Sequence, residues 1–174
     1  MRKFFFLFIT IGTLLMILVM YKTGASLKTN DTPNGILDLE FASNAAKATA
    51  VVNAWQKSET VDNIQIAKLN TELDFIFLFF YSIFLNMVCR SIAALHTGMA
   101  RNIGLIVATG AIIAGMLDIL ENIGMLLTLH GYIYNSITIL TFSFSVTKWI
   151  LALLAILYFL VAGCAALFKK DTGK

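Results

Sequence analysis

The chain has 174 residues, 59% of them hydrophobic and 13% charged, with a mean hydropathy of +0.82 and a formal net charge of +3. A soluble domain carries roughly 45–50% apolar and about 25% charged residues, so this composition excludes an ordinary soluble fold and points to an integral membrane protein. The basic residues stand at the ends of apolar runs rather than in a patch, which sets nucleic-acid binding aside.

Four apolar segments, about 4–20, 73–95, 103–129 and 149–168, approach the roughly 17–25 residues that a helix needs to cross a bilayer. They predict an all-α protein, one domain over 1–174, with four transmembrane helices in an up-down-up-down bundle. Residues 21–72 form an ordered helical excursion on the extracytoplasmic side. Arg2, Lys3, Arg90, Arg101, Lys169, Lys170 and Lys174 collect on one side of this arrangement, with Asp171 as the single acid among them. Lysines and arginines beside span ends set orientation, so both termini are expected in the cytoplasm. The compact chain suits a bacterial cytoplasmic membrane.

In chain order, Met1–Met20 has a short basic start and then a long apolar core ending at Tyr21-Lys22, an interfacial pair. Thr23-Gly24-Ala25 would serve a cleaved signal peptide, but the length of the core favours an uncleaved first span. Lys28–Gly35 is turn-forming, and Thr32-Pro33 reads as a helix opening with threonine as N-cap. Ile36–Phe41 alternates apolar and acidic residues. From Phe41 the positions Phe41, Ala45, Ala48, Val52 and Trp55 recur at helical spacing, predicting an amphipathic helix. It either rests on the membrane with Trp55 at the headgroups or closes as a lid, with Asp38 and Glu40 pointing into the bundle.

Ser58–Thr71 is polar without a helix breaker and is expected to run as helix into the second span. Asp74 and Tyr81, seven apart, share a face of that span. Asp74 reads as a solvated carboxylate at a helix end, and Tyr81 as a buried phenol in need of a partner, most often a backbone carbonyl. The connection His96–Asn102 turns at Gly98 on the inner side, with His96 in solvent.

The third span holds the most informative pattern. Asp118, Glu121 and Asn122 lie at spacings of three and four, on one helical face. Gly104, Ala108, Ala111 and Gly115 continue that face as a small-residue stripe fit for close helix contact. A carboxylate in hydrocarbon costs several kcal/mol, so Asp118 and Glu121 are expected to face protein, water or a bound cation. After the outer turn His130–Ser136, Ile137–Thr147 is either an interfacial segment or an outward extension of the last helix. Lys148 shares a face with Ala152, Ala155, Ala162 and Ala166 and falls near the level of Glu121. It is a candidate ion-pair partner for Asp118 and Glu121, or a lysine reaching for the headgroups beside Trp149.

The expected site therefore gathers Asp118, Glu121, Asn122, Tyr81 and Lys148, with Asp74, Asp38 and Glu40 above them. Three functions fit it: a site for a cation, a proton or a small amine or lipid ligand; a structural or accessory subunit using the polar face for helix contact; or a lipid-modifying enzyme with paired carboxyls. No nucleophile elbow, phosphate loop or dinucleotide fingerprint accompanies the acids. No cofactor is expected: Cys89 and Cys164 have no zinc-ligand spacing, and His96 and His130 lie at opposite membrane faces, unsuited to haem. The expected partners are the bilayer and a second copy or a larger membrane complex, since four spans make a small conduit.

Overall fold

The computed structural model describes residues 2–57 and 61–171, and the described residues are helical with connecting turns and no strand. The helices are α1 (Arg2–Thr23), α2 (Ile36–Glu40), α3 (Ala45–Gln56), α4 (Asn63–Ala93), α5 (Gly98–Leu129) and α6 (Asn135–Asp171), with a short 3-10 turn at Ala25–Leu27. α1, α4, α5 and α6 are each long and apolar enough to cross a membrane.

The main packing runs α4 on α5, α5 on α6 and α1 on α4. Small residues let α5 approach both neighbours: a Cβ on Gly104 would overlap Tyr158, and one on Gly124 would overlap Thr141. At Gly115 it would meet Ser82 Cβ at 2.8 Å. Aromatic pairs join α1 to α4, with Phe6 stacked on Phe84 and Phe8 tilted against Phe80. α5 ends in a closed turn in which Gly131 takes φ +93° and the Tyr132 amide donates to the Leu127 carbonyl, satisfying a terminal acceptor.

Several boundaries depart from the sequence reading. The helix expected from Phe41 begins at Ala45, because the Asn44 side chain accepts from the Lys47 amide and caps it. Phe41 closes the separate helix α2 instead. Thr32 opens no helix; it is buried in a turn, its hydroxyl donating to the Leu27 carbonyl. α4 starts at Asn63 under an Asp62 cap, so only part of Ser58–Thr71 is helical, and 58–60 lie outside the described residues. Ile137–Thr147 is the first third of α6 rather than an interfacial segment. His96, expected in solvent, is half-buried with Nε2 2.9 Å from the Ala162 carbonyl.

Trp55 is the largest correction. It is 1% exposed rather than at a headgroup layer, and its indole N–H reaches both the Leu27 carbonyl at 3.0 Å and Thr32 Oγ1 at 3.1 Å. Around it Leu27, Leu39, Ala48, Val52, Met125 and Leu129 form an apolar cluster. This cluster seats α2 and α3 on the ends of α4 and α5 as a packed cap.

Candidate functional site

The Asp118–Glu121–Asn122 face turns inward. The three are 2%, 0% and 0% exposed, because the small residues on the same stripe bring α4 and α6 close on either side. α6 carries Lys148 to this point. Its ammonium lies 2.6 Å from Asp118 Oδ1, 2.8 Å from Glu121 Oε2 and 3.6 Å from Glu40 Oε2. Of the two readings of Lys148, the structure has the ion pair: the side chain is buried at 7% exposure. Charges taken this far from water persist only where opposite charge and hydrogen bonds surround them.

The remaining polar side chains tie this core to its neighbours. Tyr81 donates its hydroxyl to Asp118 Oδ2 at 2.7 Å, so the partner of the phenol is a carboxylate and not a backbone carbonyl. Asn122 Nδ2 donates to Asp74 Oδ2 at 2.7 Å, which leaves Asp74 half-buried and bonded instead of solvated. Glu40 descends from the cap and accepts from Trp149 Nε1 at 3.1 Å. Asp38 does not join them. Two residues earlier on α2, it accepts from the Asn34 amide and side chain, holding the turn before the helix. On so short a helix the two acids point apart.

Three carboxyl groups thus meet one ammonium, and a fourth, Asp74, joins the cluster through Asn122. Glu121 Oε1, Asn122 Oδ1 and Ser145 Oγ are buried without a hydrogen-bond partner, and Glu121 Oε2 meets Lys148 as an ion contact outside hydrogen-bond geometry. Among the described residues, no three His, Cys, Asp or Glu side chains converge as metal ligands.

Beside the cluster lies a cavity of about 390 Å³. Glu40, Asp74, Tyr81, Asp118, Lys148 and Trp149 stand on its wall at one end, with little of their polar surface open to it. Its other walls are largely apolar: Ile17 and Met20 of α1, Phe77, Phe84 and Leu85 of α4, and Ala152, Ile156, Phe159 and Leu160 of α6; Thr13 of α1 also lines it, its hydroxyl donating to the Ile9 carbonyl. That volume lies in the range of small-molecule sites. Sequence reasoning missed the α1 wall, since nothing in an unbroken apolar run marks which face borders a void. It also missed Trp149, although Trp149 directly follows Lys148.

Comparison of the chain with protein-family models, curated proteins and solved structures gave no match.

Proposed function

We propose that the protein is a membrane-embedded binding protein whose acidic site, at one end of a four-span bundle, takes a ligand bearing a positive charge. The observation carrying this is the imbalance at Lys148: Asp118, Glu121 and Glu40 meet a single ammonium beside an open cavity whose wall also carries Asp74. In a low-dielectric site the charge left over is relieved by a bound cation or by protons. A small amine or amine-bearing lipid suits the cavity better than a bare metal ion, because three of the acids are already drawn to Lys148 and the space left is too large for one ion.

The site lies within the membrane on this reading, in an up-down-up-down bundle. Contacts of Phe6 with Phe84, Phe8 with Phe80 and Asn70 with Met20 support opposite directions for α1 and α4. The arginine and lysine distribution supports cytoplasmic termini, which puts α2, α3 and the cavity's polar end on the outer side of a cytoplasmic membrane.

A second reading keeps its place because Lys148 links α2, α5 and α6: the cluster is an electrostatic pin for the bundle and binds nothing. Thermal unfolding of the purified protein with and without ethylammonium separates the two. A binding site predicts concentration-dependent stabilisation that Asp118→Asn and Asp74→Asn, both on the cavity wall, each reduce at least tenfold in apparent affinity. A pin predicts destabilised variants and no response to the amine in any of them.

A further inference from the structure

The cavity is longer than its polar end needs. From Lys148 to Leu160 its α6 wall covers twelve residues, or about 18 Å at the helical rise of about 1.5 Å per residue. All the charge is at the Lys148 end; beyond Ala152 the α6 wall is hydrocarbon and aromatic. The principal packing of α1 is on α4 and that of α6 on α5 and α4, so α1 and α6 face one another across the cavity. Residues on both sides of this gap are cavity wall and outer surface together: Ile17 is 47% exposed, Ile156 38% and Leu160 53%. For helices that cross a membrane, that outer surface is lipid.

Resting on the proposed acidic binding site, we infer that its ligand is a single-chain amine amphiphile that enters sideways from the bilayer between α1 and α6. The ammonium head lies against Asp74, Asp118 and Glu40, and the chain runs along Ile156 and Leu160 toward the membrane middle. Charge complementarity sets the head: four carboxyls against one lysine repel a phosphate and attract an amine. The apolar wall sets the tail, because its one hydroxyl, on Thr13, is already bonded to the Ile9 carbonyl and leaves a soluble ligand little to match. The cap formed by α2 and α3 places Glu40 at the polar end, so the sideways route is the one whose walls match an alkyl chain.

The test uses the full chain in phosphatidylcholine nanodiscs and an ammonium series from ethylamine to dodecylamine. A dodecylamine with a terminal photoreactive diazirine serves as the mapping probe. The expected result is apparent affinity rising at least tenfold from ethylamine to dodecylamine, with cross-links on Ile17, Ile156 and Leu160. Ile156→Trp, which fills the slot two turns from Lys148, should lower dodecylamine affinity at least tenfold; Leu160→Trp is the substitute if that variant does not fold. Equal affinity along the series, or cross-links spread to α5 positions such as Ile106 and Ile113, would overturn the sideways lipid ligand while leaving an acidic amine site in place. No response to any amine would overturn both.

Discussion

The Lys148 ammonium and the Asp118 carboxylate meet at 2.6 Å across the α5–α6 interface, thirty residues apart in the chain and both withdrawn from solvent. Neither charge is tolerable there alone. Each explains the other, and together with Glu121 and Glu40 they make the part of the molecule least like ordinary helix packing.

Removing the cation should therefore cost far more than a surface substitution. Lys148→Met leaves buried carboxylates without their counter-charge and is expected to destabilise by about 3–5 kcal/mol. Adding Asp118→Asn and Glu121→Gln to that variant should recover more than half of the loss. Thermal melts of the single and triple variants in the same detergent check this; equal instability of both would mean that shape rather than charge dominates.

Tyr81→Phe deletes one hydroxyl bonded to Asp118 and nothing else. Hydrogen bonds between membrane helices are worth about 0.6–1.7 kcal/mol, so the stability loss should stay within that range. A ligand cation drawn to Asp118 would feel the change directly, and amine affinity measured on the same variant is expected to shift in parallel.

Close contact between α4 and α5 depends on the missing side chain at Gly115. Gly115→Ala brings a methyl within 2.8 Å of Ser82 Cβ and should cost about 1–3 kcal/mol despite the better helix propensity of alanine. Ser82→Gly in the same chain removes the obstructing atom. A double-mutant cycle should give a favourable coupling above about 0.5 kcal/mol, and additive effects would place the strain elsewhere.

Within the cap, the Trp55 indole ties α3 to the turn before α2. Trp55→Phe takes away the donor shared by the Leu27 carbonyl and Thr32 Oγ1, for an expected loss of about 1–3 kcal/mol. Limited proteolysis should then cut within Lys28–Asn44 much faster while the long helices stay intact; uniform cleavage along the chain would argue against a separately seated cap.

Much of this molecule is legible without coordinates. Unbroken apolar runs of sufficient length have only the helix as a way to satisfy their backbone in lipid, so the four long helices follow from composition. The spacing of Asp118, Glu121 and Asn122 put them on one face, and the expected cost of leaving acids on an apolar helix surface predicted the burial that the three show. What sequence could not decide was which groups would meet them. The choice between Lys148 at the headgroups and Lys148 in the interior depends on how far α6 extends before that residue, which a hydropathy window does not reveal. Asp38 and Glu40 look equivalent in a row of letters; a five-residue helix separates them into a turn brace and a contact of Lys148. The cavity is tertiary altogether, since a void between α1 and α6 is a property of two surfaces that do not close, and neither surface carries it alone.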